Sequence, residues 1–257
     1  MNRVRQVWPA ALLLAALIGM WELYVDLHGD TFSFILPAPH QVAKSLYSDR
    51  GLLWSNFLVT AKEVLLGIMV ATVIGFVLAV AIHFSPTVRR AAYPLVVGSQ
   101  AVPVVTFAPV LAFWLGFGLL PKLVVIALVS FFSIVVTTTA GFAAVDPDLI
   151  KLMRTFDASR LRTFWHVELP TALPGVFTGA KIAVAVSVIG AVFAEWQGAS
   201  SGLGYVILQS LPQLLAARGM AAVVILSVFA IALFALLALA ERMAVPWAYG
   251  PRGELAR

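Results

Sequence analysis

The chain has 257 residues, of which 61% are hydrophobic and 11% are charged. A soluble protein usually carries about 25% charged residues, so too little polar surface is present here to cover a soluble core. The composition indicates an integral membrane protein. The chain has no cysteine, which excludes disulfides, thiol catalysis and cysteine-ligated metals. The net charge of +5 could indicate a nucleic-acid partner, but basic residues of membrane proteins collect in cytoplasmic loops, so no such partner is predicted.

The first apolar segment is uncharged from Val7 to Trp21 and stays apolar to Val25. It has two interpretations, a secretory signal peptide or a retained membrane helix. The segment lacks a clear small-x-small cleavage site, and Trp21-Glu22-Leu23-Tyr24 is typical of an interfacial anchor. We therefore predict a retained first helix.

Five further segments approach the length of about 20 mostly apolar residues that a span requires. The second of them contains three prolines in an uncharged run that is too long for one straight helix, and it is predicted to be kinked. The five segments are Val64–Ile82, Ala91–Trp114, Leu123–Val145, Thr171–Ala194 and Gly219–Ala240. The sequence predicts an all-α polytopic membrane protein with six transmembrane helices.

Lysine and arginine are distributed unequally between the two sets of loops. With the N-terminus placed inside, the inner segments carry Arg3, Arg5, Arg89, Arg90, Lys151, Arg154, Arg160, Arg162, Arg242, Arg252 and Arg257, and the outer segments carry Lys44, Arg50, Lys122 and Arg218. Because positive residues favour the cytoplasmic side, both termini are predicted to be cytoplasmic. Of the outer segments, Phe32–Gly51 is predicted to be an exposed connector and Gly198–Arg218 a segment that dips back into the protein.

The longest inner segment runs from Val145 to Pro170. Asp146-Pro147-Asp148 has the composition of a helix start, with a capping side chain, a first-turn proline and a first-turn acid. Asp157 is predicted to cap a second short helix that continues through His166. This part of the chain therefore predicts two short helices outside the membrane.

The second short helix is amphipathic, with Leu161, Phe164 and Trp165 at helical spacing. Such a helix has three possible positions: on the lipid surface, against its own bundle, or in a groove of another protein. The pattern of residues leaves all three open.

Few polar side chains fall within the predicted spans. Glu195 is expected either to contact substrate or a gate, or to form a structural pair, because ionisable groups at membrane depth are functional candidates. Lys181 is expected to extend toward the inner surface. His83 and His166 have no partner at ligand spacing, so no metal site is predicted.

Small residues and prolines also mark the spans. Gly175 and Gly179 lie four residues apart at the start of the fifth span, which predicts close helix packing. Pro103 and Pro109 are expected to form kinks, and helix breaks of this kind can line a transport pathway.

The sequence has no catalytic signature. It contains no Gly-x4-Gly-Lys-Ser/Thr phosphate loop, no His-Glu-x2-His pattern and no paired acids within a span. We therefore predict that the chain is not an enzyme and binds no cofactor. The alternative to a subunit driven by ATP is a self-sufficient secondary transporter or channel, which usually carries several ionisable groups in its spans.

The loop before the fifth span resembles the signature of permease subunits of type I ABC importers, E-A-A-x3-G-x9-I-x-L-P. Lys151-Leu152-Met153 takes the first three positions, Asp157 the glycine position, and Val167 precedes Leu169-Pro170 at the right spacing. The E-A-A residues and the glycine are absent. Aspartate is a good N-cap and is also one of the few residues that adopt a left-handed backbone, so it is tolerable at the glycine position.

Two further segments resemble the subfamily that imports nitrate, sulfonates, taurine and pyrimidine-type vitamin precursors. One contains Pro103–Pro109, Phe113–Gly118 and Lys122, and the other contains Glu195–Ala199 and Gly202–Tyr205. The similarity extends from about Trp54 to Glu241. It implies three regions: 1–53 with the first helix and connector, 54–241 as the transmembrane domain of the importer, and 242–257 as a cytoplasmic tail.

The resemblance implies an inner-membrane permease that pairs with a second copy, two cytoplasmic ATPase subunits and an extracytoplasmic binding protein. It implies that the inner loop is a coupling helix, formed by Phe156, Asp157, Leu161, Phe164 and Trp165, with the two aromatic residues at 164 and 165 as anchors. For the solute, the residues favour a pyrimidine-type precursor or riboflavin slightly over sulfonate, taurine or nitrate. Candidates for the translocation path or gate are Glu195, Pro103 and Pro109.

Overall fold

The computed structural model describes residues 3–28 and 35–249, and the last eight residues of the predicted cytoplasmic tail lie outside this range. The described parts of the chain form helices joined by short connections. In chain order the helices are α1 (Arg3–His28), α2 (Pro39–Ser48), α3 (Arg50–Phe84), α4 (Pro86–Gly98), α5 (Val104–Leu115), α6 (Leu119–Ala143), α7 (Pro147–Thr155), α8 (Arg160–Thr163), α9 (Leu169–Glu195), α10 (Leu203–Ser210) and α11 (Ala216–Ala244). Short 3-10 turns follow α4 and α11, and a π-helical turn, Phe164–Glu168, joins α8 to α9. The all-α class is therefore confirmed.

Four helical stretches of the described chain are long and apolar enough to cross a membrane. These are Arg50–Phe84, Leu119–Ala143, Arg160–Glu195 and Ala216–Ala244. A fifth span results if the bent pair α4 and α5 is counted as one. The total of six spans stays a prediction.

The predicted kinked third span is divided into two helices. The axes of α4 and α5 meet at 110°, which is a break and not a kink, and a 3-10 turn at Ser99–Ala101 lies between them. Val102 before Pro103 is extended, with ψ of 122°, because a residue that precedes proline is driven out of the helical region. Thr106 then starts α5 by donating from its backbone N–H and its hydroxyl to the Pro103 carbonyl.

The second predicted span begins too late in the chain. It was placed at Val64 because Lys62 and Glu63 precede the uncharged run, but α3 already begins at Arg50. Glu63 lies inside the helix and is buried. The charged residues gave the wrong start for this span, because a partner on another helix neutralises the Glu63 carboxylate and allows it to lie within the helix.

The described chain divides into two compact units. One contains Met1–Thr60 and Ser200–Ser227, and the other contains Ala61–Ala199 and Val228–Arg257. The predicted regions 1–53, 54–241 and 242–257 follow a sequence resemblance and stay a prediction.

In the first unit, side chains of α3 satisfy the start of α10. Gly202 has a φ of 118°, a conformation that favours glycine, and precedes α10 without a capping side chain of its own. Its N–H donates to Asn56 Oδ1 at 2.7 Å, and the N–H of Leu203 donates to Thr60 Oγ1 at 2.8 Å. Leu203 is fully buried, so this segment packs into the first unit, and its location on the outer side stays a prediction.

In the second unit, α6 and α9 pack closely along their length. A Cβ atom added at Gly179 would lie 2.8 Å from the Cα of Ile134, and one at Gly175 would lie 2.5 Å from the Thr137 carbonyl oxygen. The prediction of close packing at these two glycines is confirmed. Since both obstacles are backbone atoms, any larger side chain must separate the helices.

We predict that Gly179→Ala destabilises the protein by about 1–3 kcal/mol, the usual cost of overpacking. The measurement is the thermal unfolding midpoint of the purified protein in detergent. Gly98→Ala is the matched control, because a Cβ atom there meets nothing within 4 Å. A midpoint for Gly179→Ala equal to that of the control would contradict the close packing of α6 against α9.

Candidate functional site

The loop between α6 and α9 begins as the sequence predicts. Asp146 is the N-cap of α7, and its side chain accepts a hydrogen bond from the N–H of Asp148 at 2.8 Å. Pro147 occupies the first turn. The N-cap, the proline and the acid are each confirmed.

The turn at Asp157 differs from the prediction. Asp157 has a φ of 51°, in the left-handed region, and it does not cap the next helix. The cap is Ser159, whose Oγ accepts a hydrogen bond from the N–H of Arg162 at 3.3 Å. Aspartate therefore substitutes for the signature glycine through its tolerance of the left-handed backbone, and the prediction of a cap at this residue is wrong.

The aromatic pair of the loop is divided between two environments. Phe164 is 5% exposed and packs in one cluster with Phe142, Phe84 and Ala172. Trp165 is 58% exposed. Of the three positions left open by the sequence, contact with its own bundle is therefore observed for Phe164.

The loop exposes five large apolar side chains, of which Phe156, Leu161 and Trp165 are the most exposed, with exposed fractions of 73%, 62% and 58%. Large apolar side chains are seldom exposed together without a lipid or protein neighbour. We call these three side chains the loop face.

Polar contacts fix the loop to the end of α3. His83 Nε2 and Glu168 Oε2 lie 2.8 Å apart, and the His83 ring stacks on Phe142 with a centroid distance of 4.5 Å. Arg160 Nη2 donates to the Phe84 carbonyl at 2.9 Å. The loop is therefore held against the bundle by the His83–Glu168 contact, by the hydrogen bond from Arg160 and by Phe164.

Three residues predicted to belong to the path or gate differ in exposure. Glu195 is the last residue of α9 and is fully buried. Pro103, before α5, and Pro109, inside it, are exposed. They do not form one common surface, so their joint role stays a prediction.

Two buried ion pairs were missed by sequence reasoning. Lys122 Nζ lies 2.6 Å from Glu63 Oε1, and the two side chains are 12% and 4% exposed. Lys181 Nζ lies 2.8 Å from Glu241 Oε2, with 18% and 6% exposed. The expectation that Lys181 extends to the surface is wrong, because an acid on α11 neutralises it. The sequence did contain a signal for both pairs. Each lysine lies beside or within one apolar segment, and its partner acid lies at the edge of another apolar segment.

Two segments that resemble the subfamily meet at one crevice. Its lining includes Phe117 and Lys122 from the region around the start of α6, and Gln197 from the segment after α9. Gly198 has a φ of 87°, and a Cβ atom there would lie 2.8 Å from the Phe117 ring. The glycine is therefore required for both its conformation and its closeness to the aromatic ring.

One group of side chains in the described residues could hold a metal ion. Ligand atoms of Glu22, Asp26 and His40 lie within 4.8 Å of one another. Glu22 already contacts the His40 ring, and it accepts a hydrogen bond from the backbone N–H of His40 at 3.2 Å. These contacts connect α1 to α2.

A further ion pair connects the C-terminal end of α2 to α11 in the first unit. Arg218 Nη2 lies 2.9 Å from Asp49 Oδ1. The hydrogen bond from Arg218 lowers the pKa of the Asp49 carboxyl despite its partial burial, and the Ser45 hydroxyl lowers it further. The carboxylate therefore remains ionised at neutral pH.

Comparison with known proteins gives the family. The model of the binding-protein-dependent transport system inner membrane component matches residues 71–247. A probable ABC transporter permease protein of Haemophilus influenzae is 34% identical over 208 residues, which cover 81% of this chain and 84% of that protein. The formylaminopyrimidine transport permease protein ThiX of Halalkalibacterium halodurans is 31% identical, with 96% and 98% covered. The riboflavin transport system permease protein RibX of Chloroflexus aurantiacus is 32% identical, with 93% and 91% covered.

A solved structure shares the fold. The crystal structure of an amino acid ABC transporter with histidines superposes with a TM-score of 0.63 at 17% identity, and covers 77% of this chain and 97% of that chain. The chain belongs to the family of binding-protein-dependent transport system inner membrane components. It is the permease subunit of an ABC importer and not an enzyme, since ATP hydrolysis belongs to a separate subunit. The alternative of a self-sufficient secondary transporter is not retained.

We predict that Lys122→Met destabilises the protein by about 3–5 kcal/mol, because it leaves the Glu63 carboxylate buried without its cation. The double variant Glu63→Gln with Lys122→Met should recover most of this loss. Thermal unfolding in detergent measures both effects.

Lys151→Met is the matched control, since its ion pair with Asp148 is 73% and 80% exposed and should contribute little. Equal effects of the two lysine substitutions, or no recovery in the double variant, would show that the Glu63–Lys122 pair is not the cause.

Proposed function

We propose that the loop face, Phe156, Leu161 and Trp165, docks in a groove of a cytoplasmic ATPase subunit and transmits its closure to the bundle. The observation that supports this is the division of the aromatic pair, with Phe164 buried in the permease and Trp165 exposed. A segment that transmits motion between two proteins must be fixed to one of them on one side and must be available for contact with the other on its opposite side. Aromatic side chains are also enriched among interface hot spots.

Phe164 and Asp157 then have roles that differ from those of the loop face. Phe164 joins the loop to α3 and α6 through its contacts with Phe84 and Phe142, whose ring centroids lie 5.0 and 5.8 Å away. Asp157 sets the angle between the two short helices through its left-handed backbone. Both are positioning residues, and the contact with the ATPase belongs to the exposed side chains.

The proposed orientation places both termini and this loop in the cytoplasm. It is supported by the excess of lysine and arginine in the inner segments. A second copy of the permease is proposed as the partner in the membrane, supported by exposed aromatic side chains at Phe113, Trp114 and Phe117. Membrane lipid covers the remaining apolar surface.

For the solute we propose a small polar molecule, with a formylaminopyrimidine-type precursor or riboflavin favoured and taurine, sulfonates or nitrate next. The names of relatives support this order, since the permeases for the first two are 31% and 32% identical over most of the chain. Glu195, Pro103 and Pro109 remain candidates for the path or gate.

We predict that Trp165→Ala leaves insertion and stability intact but reduces solute uptake by the assembled importer at least about tenfold, since a lost hot spot costs about 2 kcal/mol or more. The measurements are uptake into proteoliposomes and ATP hydrolysis of the same preparation. Trp54→Ala is the control, because that side chain is similarly exposed, at 62%, but lies outside the loop. Normal uptake by Trp165→Ala would contradict the proposal.

Phe164→Ala is a less informative variant, because Phe164 is buried in the bundle. Removal of a buried phenylalanine costs about 3–5 kcal/mol, so a loss of uptake in that variant would report damage to the bundle as well as loss of coupling. Unfolding measurements must accompany it.

The solute assignment is tested on the partner binding protein. We predict that it binds a formylaminopyrimidine or riboflavin at least about tenfold more tightly than taurine, a difference of about 1.4 kcal/mol. Isothermal titration with each solute measures the order. A preference for taurine or nitrate would change the solute assignment and leave the coupling proposal unaffected.

A further inference from the structure

The start of α9 carries a proline that removes one of its own hydrogen bonds. In an α-helix each carbonyl accepts a hydrogen bond from the N–H four residues further along the chain. For the Pro170 carbonyl that residue is Pro174, which lies inside α9 and has no N–H to donate. The sequence therefore deprives the Pro170 carbonyl of its helical donor, directly after the loop ends.

The residues before this point also depart from a regular helix. Phe164–Glu168 form a π-helical turn, and the N–H of Leu169 donates to the Phe164 carbonyl. Pro170 contributes no donor of its own. We call residues 164–174 the loop joint, because the covalent path from the loop to α9 passes through them. A π-turn and prolines are the features at which helices bend, so the loop joint is the place where α9 is expected to bend.

The C-terminal segment supplies the donor that the loop joint lacks. Trp247 lies in the short 3-10 turn Pro246–Tyr249 that follows α11. Its Nε1 donates a hydrogen bond to the Pro170 carbonyl at 3.3 Å. The indole N–H acts only as a donor, and here it takes the place of the amide that Pro174 does not have. A residue 77 positions away in the chain thus completes the first turns of α9.

The segment that carries Trp247 is itself held in place. Val245 is fully buried, and its N–H donates to the Glu241 carbonyl at 2.8 Å. The Glu241 carboxylate pairs with Lys181 of α9 at 2.8 Å. The end of α11 and the turn after it therefore contact α9 at Lys181 and at Pro170, which lie about three helical turns apart. All of these residues belong to the second unit.

Packing alone does not account for a tryptophan at this position. The Trp247 side chain is 54% exposed, so much of its ring contributes nothing to a buried core. Tryptophan is also common where helices meet the membrane surface, and an aromatic ring without an N–H would distinguish that role from the hydrogen bond. The contact with the Pro170 carbonyl is what a phenylalanine cannot provide.

We propose that Trp247 is a positioning residue for the coupling loop. Its N–H holds the Pro170 carbonyl and keeps the loop joint from bending, so that a displacement of the loop moves α9 as a rigid body. Without this bond the joint bends and absorbs part of the displacement. The inference rests on the proposed docking of the loop face on an ATPase subunit, and it adds the C-terminal segment to the parts that transmit motion.

The test follows motion at the far end of α9. The chain has no cysteine of its own, so Gln197→Cys places a single thiol in the crevice beyond that end. The rate of maleimide labelling of the permease is measured in the importer assembled with its ATPase subunits, without nucleotide and after trapping with ATP and vanadate. We expect trapping to change the rate at least about threefold, because closure of the ATPase subunits shifts the population of the bundle.

Trp247→Phe removes the N–H and keeps an aromatic ring. In the same labelled protein it should reduce the response to trapping about twofold or more, as the loss of one hydrogen bond permits. Because the side chain is largely exposed, the thermal unfolding midpoint should shift by less than about 2 °C. Trp54→Phe is the matched control, since Trp54 is similarly exposed at 62% but lies on α3 in the first unit, and it should alter neither quantity.

Pro174→Ala separates this mechanism from other roles of Trp247. The substitution provides a backbone N–H at the position from which the Pro170 carbonyl normally accepts. Pro174→Ala alone should therefore retain the response to trapping. In that background Trp247→Phe should have no further effect, so the two substitutions should be strongly non-additive.

The possible failures are distinguishable. A Trp247→Phe variant that responds as the wild type does would overturn this inference and leave the docking of the loop face intact. A loss of response in Pro174→Ala alone, or a Trp247→Phe effect that persists in that background, would show that the Pro170 carbonyl is not the point of action. A wild type that does not respond to trapping would contradict the docking proposal and this inference with it.

Discussion

The close approach of α6 and α9 is the constraint on which the rest of the structure depends. Glycines at 175 and 179 allow the backbone of α9 to reach that of α6, and in lipid such packing substitutes for the hydrophobic driving force that is missing between helices. The seam fixes both ends of the pair. At one end Phe142 receives Phe164, and at the other end Lys122 and Gln197 line one crevice. The loop and the crevice are therefore joined by one rigid element.

Charged side chains inside this bundle are paired with side chains of opposite charge. The Glu63–Lys122 and Lys181–Glu241 pairs each join two helices with little exposed surface. In a membrane the cost of an isolated charge is high, so each pair specifies which helices are neighbours. An importer driven by an external ATPase does not require titratable groups for ion coupling. These charges therefore join the helices of the bundle to one another.

The loop combines a fixed face and a free face within ten residues. Its buried side, centred on Phe164, belongs to the packing of the bundle, and its exposed side, centred on Trp165, is free for a partner. Phe164 and Trp165 are adjacent residues and therefore point in directions roughly 100° apart on a helix, so one can be buried while the other is exposed.

The sequence by itself determined the helical class, the apolar segments, the helix start at Asp146 and the family signature of the loop, because these depend on composition and short-range spacing. It also determined that Gly175 and Gly179 mark a packing face. Only the tertiary structure decided that Glu63 lies within a helix and that Lys181 meets Glu241, since a charge in an apolar run is tolerated only through a partner on another helix. The tertiary structure also decided the environments of Phe164 and Trp165, because their helical spacing is compatible with either side of the loop. Which of them is buried depends on the ring of Phe142, brought there by the seam between α6 and α9.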